Sequence, residues 1–232
     1  MMDVQTLLNL RVPPISVGFL QAAPDGVPAW EGGAVAAGCV FWAHAQRGKT
    51  FYTVPADHYN CAVGAYTHKI LLPMHRESEL TDTIGLMVGN DYLAMEEVAG
   101  IPTLVETPAV VAYGPADTNA FAPDVILILA SATQAMHLFE AASRAGASEA
   151  SMATLGRPGC AVLPYAVQSG NAALSLGCAG NRQFTEIADS EFYVSVPGSK
   201  WPAVVEQLRR VHQANAAMGA YYRQKSARFT RV

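Results

Sequence analysis

The stretch 175–184, SLGCAGNRQF, is the part of the sequence whose residue types most directly suggest chemistry. It sets one thiol, Cys178, among glycines and a fixed positive charge, Arg182, four residues further on. Backbone N–H groups that converge in a glycine-rich turn, together with a nearby cation, favour the thiolate form of cysteine. We therefore predict a thiolate at Cys178. The turn itself would be shaped by three residues that tolerate unusual torsion angles, Gly177, Gly180 and Asn181, with Asn181 suited to the left-handed region.

The four cysteines fall into two similar settings. Cys39 follows a glycine and precedes Cys61 by 22 residues, and Cys160 follows a glycine and precedes Cys178 by 18 residues. Matched cysteines are offset by 121 and 117 residues, which indicates an internal repeat. Few other identities accompany this pattern, so coincidence remains an alternative.

A metal or cluster site is the first chemistry that these residues suggest. Four thiolates are typical ligands of zinc and of iron–sulfur clusters, and haem is a third cofactor to consider. His58 and His68 flank Cys61 in the sequence and could complete a mixed thiolate–imidazole site. The chain lacks the C-x₂-C pairs that usually mark metal sites, and Cys39 and Cys160 would also fit as small apolar core residues.

Two other functions remain open. In a cysteine-dependent enzyme, Cys178 would be the nucleophile, Arg182 and the N–H groups of the turn would hold an anion, and His58 or His68 would act as base. If Cys178 has neither role, the SLGCAGNR segment is a plain loop in which Arg182 pairs with Glu186 or Glu191. A non-catalytic module could instead bind a small ligand in an aromatic pocket, lined by Trp42, Phe51, Tyr52, Tyr59 and Tyr66.

The composition restricts the classes of molecule that the protein can be expected to bind. The chain has 232 residues, of which 51% are hydrophobic and 15% charged, and a net charge of −4, so we expect neither disorder nor nucleic-acid binding. Apolar runs are too short for a membrane helix, and no signal peptide is recognisable. We expect a cytoplasmic protein with reduced thiols that binds a small molecule or metal cofactor, either alone or as a homodimer.

The fold class follows from the order of the elements. An apolar run at 125–130 leads into an amphipathic helix that ends near Gly146, which is typical of the βα half of a parallel crossover. The run at 39–45 fits a helix or a strand, and Asp57 is suited to cap a short helix that carries Cys61. We predict one α/β domain over 1–232, a mixed sheet with flanking helices, in which 1–115 and 116–232 form pseudo-repeated lobes that share one core.

Several segments together resemble the domain-of-unknown-function family 169. They are CVFWAHA from 39, TFYT from 50, DHYNCAVGA from 57, SLGCAGNRQFTE from 175 and EFYVSVPG from 191. The resemblance spans nearly the whole chain in the same order. It implies a soluble bacterial or archaeal protein, often from anaerobic or metal-reducing settings, and adds weight to Cys61 and Cys178 without implying a particular substrate.

Overall fold

The computed structural model describes residues 3–149 and 151–229, and seven strands in this part form one mixed sheet of order β2-β3-β1-β4-β7-β6-β5. The strands are β1 (Ile15–Leu20), β2 (Phe51–Thr53), β3 (Val110–Pro115), β4 (Val125–Ser131), β5 (Ala153–Leu155), β6 (Ala173–Ser175) and β7 (Glu191–Pro197). The helices are α1 (Val4–Leu8), α2 (Cys39–Gln46), α3 (Ala62–Thr67), α4 (Glu77–Gly89), α5 (Met95–Val98), α6 (Ala132–Arg144), α7 (Val162–Ser169), α8 (Ala179–Phe184) and α9 (Trp201–Ser226). The α/β class predicted from the sequence is confirmed.

The β4–α6 unit forms where the sequence predicts it. Six of the seven β4 residues are buried, as expected for a strand covered on both faces. Gln134 accepts a hydrogen bond from the Ser131 backbone N–H at 2.7 Å, which satisfies a group at the start of α6. Gly146, with φ of +65°, follows the helix end in the left-handed conformation that glycine adopts without cost.

The parallel crossover expected after β4 is present, because α6 leads to β5, which runs parallel to β4 in the same sheet, but β7 and β6 lie between these two strands. β4 pairs in antiparallel fashion with both β1 and β7, and β5–β6 is the parallel pair among the described strands. An apolar strand followed by a helix indicates burial on both faces, but it does not set the direction of the neighbouring strands.

The sheet separates two cores. Alternate residues of β4 point to opposite faces, so Leu127 packs against α2 and α7 while Ile126 and Ile128 pack against α6 and α9. The first face also carries α3 and α8, and these four helices bring every cysteine of the chain to one side of the sheet.

The strand order is symmetric about the central β1–β4 pair. On one side lie β3 and then β2, and on the other lie β7 and then β6, with every one of these pairings antiparallel. The helices between matching strands also correspond, α2 with α7 and α3 with α8. The two cysteine settings of the sequence therefore lie on matching helices.

Two local assignments are settled by the structure. The run at 39–45, which fitted either element, is the helix α2. Asp57 does accept a backbone hydrogen bond, from Val54, but it closes a separate 3₁₀ turn at Pro55–His58. Cys61 instead directly precedes α3, so the cap and the cysteine belong to different elements. In the described part of the chain, no helix combines the length and apolar character needed to cross a membrane.

Candidate functional site

All four cysteines line a single cavity of about 280 Å³ on the α2–α7 face of the sheet. Cys39 is the first residue of α2, and Cys160 lies in the 3₁₀ turn that leads into α7. Cys61 and Cys178 directly precede α3 and α8. Each half of the chain thus contributes two thiols, and the elements that carry them match in pairs.

Three of the thiols lie in surroundings that favour the protonated form. Burial raises the pKa of Cys39 to about 12 and that of Cys160 well above its usual value, and neighbouring cysteines add to both shifts. Burial also raises the pKa of Cys61. These thiols therefore stay protonated at neutral pH unless a cation binds them.

The backbone of two glycines, Gly38 and Gly64, packs closely against the Cys61 sulfur. The backbone N–H groups of Gly38 and Gly64 approach its sulfur and oppose part of the pKa rise. A Cβ atom at Gly64 would lie 2.7 Å from this sulfur, and one at Gly38 would lie 3.9 Å from it. Glycine at 64 is thus required for the Cys61 thiol to occupy its position, and hydrogen bonds of this kind tune metal-bound sulfur.

Cys178 is held by a buried side chain, Asn181. The Asn181 Oδ1 atom accepts hydrogen bonds from the Cys178 backbone N–H at 3.1 Å and from the thiol at 3.3 Å. The Asn181 side chain also lies close enough to the Cys39 thiol to lower its pKa. The prediction that Asn181 takes the left-handed conformation was wrong, because this residue lies inside α8 and acts through its amide.

Three consecutive N–H groups of the SLGCAGNR turn, those of residues 177–179, already have acceptors. Gly177 has φ of +78° as expected, and its N–H donates to Ser175 Oγ at 3.1 Å. The Ala179 N–H donates to the Tyr92 hydroxyl at 2.9 Å. Gly180 is helical and lies beside the Cys178 sulfur. With these groups engaged, the turn lacks the free anion-binding nest that the nucleophile hypothesis requires.

Arg182 is not part of the cavity wall. Its guanidinium donates to the Leu176 carbonyl at 2.8 Å and pairs with Asp189 at 3.2 Å. The expected partners Glu186 and Glu191 pair with Arg11 instead, which corrects that prediction. Arg182 therefore fixes the backbone on either side of the Cys178 turn.

The two histidines near Cys61 differ in their access to the cavity. His68 lines it, and His58 lies behind it with Nε2 2.7 Å from Thr53 Oγ1. Burial lowers the pKa of His58 to about 3 and that of His68 to about 4, so both rings are neutral at pH 7. The Cys160 backbone lies toward the His68 ring, yet neither ring nitrogen forms a hydrogen bond among the described residues. His68 thus offers an unused lone pair at the cavity.

A segment that the sequence did not single out covers the cavity. Apolar side chains of α4, among them Leu80, Ile84 and Met87, form one wall. Tyr92 follows this helix, and the Arg157 guanidinium lies over the Tyr92 ring, 4.2 Å from its centroid. Arg157 lies three residues before Cys160 in the segment RPGC, and this closeness in sequence could have indicated that it belongs to the site. Tyr92 carries no comparable signal, because only the tertiary fold brings it to Cys178.

The thiols do not form a compact site for one ion. Within 3–149 and 151–229, no three His, Cys, Asp or Glu side chains are grouped closely enough to hold a metal ion. The aromatic pocket proposed from the sequence is not formed as a unit either. Of its five residues only Tyr66 lines the cavity, while Trp42 and Phe51 belong to the core.

Comparison with known proteins gives a family and a distant relative. The model of the domain-of-unknown-function family 169, described as "Uncharacterised ArCR", matches residues 3–207. The chain is also 28% identical over 177 residues to "Uncharacterized protein MJ0308" of Methanocaldococcus jannaschii, covering 74% of each chain. No solved structure matches the chain significantly. The family match includes β1 to β7 and all four cysteines, and the chain belongs to the domain-of-unknown-function family 169.

Proposed function

We propose that the chain binds an iron–sulfur cluster in the four-cysteine cavity and serves a redox-linked role. The observation that carries this proposal is the convergence of the four thiols, two from each half of the chain, on one cavity. Iron–sulfur clusters are held by Cys₄ sets, and they exchange single electrons at potentials set by their surroundings.

The spread of the thiols favours a cluster over a single ion. A tetrahedral zinc site with Zn–S bonds of about 2.3 Å would bring its sulfurs to about 4 Å from one another. No group of three ligand side chains in the described ranges is as compact as a single ion needs. A cluster spreads its thiolates around a larger core, since different irons take different cysteines, and a cavity of about 280 Å³ offers that space.

The raised thiol pKa values count against a nucleophile, whereas a bound metal ion could still displace the protons. Cys39, Cys61 and Cys160 have raised pKa values, so a bound cation would have to displace their protons. A nucleophilic cysteine needs a cation or free N–H groups nearby, and at Cys178 the N–H groups of Cys178 and Ala179 and the Arg182 guanidinium have other partners. Neutral His68, with both ring nitrogens unused, is an additional ligand or hydrogen-bond donor for the cluster.

Anaerobic reconstitution with ferrous iron and sulfide tests the proposal. We expect wild-type protein to retain iron and sulfide in equal, stoichiometric amounts after desalting, and Cys61→Ser and Cys178→Ser to retain far less. Met218→Ser, which removes an exposed sulfur on α9, is the matched control and should behave as wild type. Stoichiometric zinc in place of iron, or equal iron uptake by wild type and both cysteine variants, would overturn the proposal.

A further inference from the structure

The cavity extends from the four thiols to α4. Its volume of about 280 Å³ is roughly twenty times the 10–15 Å³ or so that one water needs on the same measure. The core of the larger common cluster has eight iron and sulfide atoms. A cluster held by the thiols would leave the part of the cavity that faces α4 to a second, small organic occupant.

That outer part has an apolar wall. Leu80, Ile84 and Met87 of α4 face it, and Leu93 and Phe184 continue the apolar surface. None of the α4 side chains is fully buried, although these three lie on the side of the helix toward the cavity. A hydrocarbon body would cover this surface and gain about 25 cal/mol for each Å² removed from water.

Among the described residues, the wall of the cavity contains one charged side chain, Arg157. This side chain is exposed at the rim and stacks on Tyr92. Among the described residues it forms no ion pair, whereas Arg76 and Arg182 each pair with a carboxylate. Stacking fixes the plane of the guanidinium and leaves its N–H fork available, a geometry that matches a carboxylate in bidentate fashion.

We infer that the outer part of the cavity binds a small apolar carboxylate, with its hydrocarbon body against α4 and its carboxylate on Arg157. The inference concerns a second occupant of the same cavity and holds whether or not a cluster is bound. A carboxylate is favoured over a more highly charged anion because Arg157 is the single cation that the described residues contribute to the wall.

Calorimetric titration with hexanoate and with its uncharged counterpart hexanamide tests the inference. We expect wild-type protein to bind hexanoate at least about tenfold more tightly than hexanamide, the size expected for a charge-assisted hydrogen bond. In Arg157→Gln this preference should disappear while hexanamide affinity is retained, which also shows that the variant is folded. Arg210→Gln, which removes an exposed arginine on α9, should keep the wild-type preference.

Three results would overturn the inference: no binding of either compound, equal binding of both by wild type, or an unchanged preference in Arg157→Gln. Iron is assayed on the same protein sample. Absence of iron counts against the cluster alone, and absence of the hexanoate preference counts against the carboxylate site alone.

Discussion

At the scale of single residues, Asn181 links two cysteines of the cavity, Cys178 and Cys39, which come from different halves of the chain. Its Oδ1 atom accepts from the Cys178 backbone and thiol, and its side chain reaches the Cys39 thiol from the other half of the chain. The sequence singled out Asn181 for its backbone, and it acts instead through its side chain. The difference arises because the αL preference of asparagine is a local property, whereas a buried amide is positioned by tertiary contacts.

Gly159 is the neighbour that makes room for Asn181. A Cβ atom at 159 would lie 1.9 Å from Asn181 Oδ1 and 3.2 Å from the Gly177 Cα. We expect Gly159→Ala to lower the free energy of unfolding by about 1–3 kcal/mol and to reduce iron retention, because Asn181 must leave its position.

Gly156→Ala provides the control for this prediction. It lies three residues earlier, and its Cβ would meet no atom within 4 Å. Urea unfolding of both variants should show a loss only for Gly159→Ala. Equal stability of the two variants would mean that Asn181 is not fixed as described.

The buried histidines make stability dependent on pH. His58 and His68 have folded pKa values of about 3 and about 4, against about 6.5 in an unfolded chain. Below pH 6.5 the unfolded chain therefore takes up protons that the folded chain excludes. The free energy of unfolding should fall by about 2 kcal/mol for each histidine between pH 7 and pH 5.

Urea unfolding at the two pH values checks this expectation. His44, whose pKa burial also lowers, acts in the same direction. His68→Gln should remove about 2 kcal/mol of the pH effect, while His75→Gln, at an exposed position, should leave it unchanged. A His68→Gln protein with the full wild-type loss would show that the folded His68 does take up a proton in this range.

At the scale of elements, α4 is the cover of the cavity and the least anchored helix near it. None of its side chains is buried, whereas β4 beneath the site is almost completely buried. We expect backbone amides of α4 to exchange with deuterium much faster than those of β4, because local opening of α4 exposes little apolar surface. Protection of α4 equal to that of β4 would contradict its role as a removable cover.

The helices and strands themselves were largely predictable from the sequence, whereas the elements that pair or pack with them were not. Apolar runs and capping residues identified β4 and α6, and the spacing of glycine and cysteine identified two matching settings. The antiparallel neighbours of β4 could not be read from its residues, because burial on both faces is compatible with either direction. Likewise Tyr92 reaches the cavity only through folding of a distant segment, which leaves little trace in local sequence.

At the scale of the whole molecule, the two halves share the sheet and its core. β1 of the first half pairs with β4 of the second, and Trp42 on α2 packs edge-on against Tyr193 on β7 with ring centroids 5.0 Å apart. We expect one cooperative unfolding transition, since separating the halves would break the β1–β4 pairing and leave both central strands with an unpaired edge.

Coincident urea midpoints in far-UV and near-UV circular dichroism would support this single unit. Leu127→Ala, a truncation at the centre of the sheet, should lower both midpoints together, with a loss of about 2–5 kcal/mol. Two separated transitions would instead indicate that 1–115 and 116–232 are independent domains.

The central claim is that the four cysteines of both halves hold one iron–sulfur cluster. Anaerobic purification without added metal, followed by a visible absorption spectrum and iron and sulfide assays on the same sample, tests it most directly. The account predicts a coloured protein with broad visible absorption and with equal iron and sulfide. A colourless protein that contains neither iron nor sulfide, and that takes up neither on reconstitution, would contradict it.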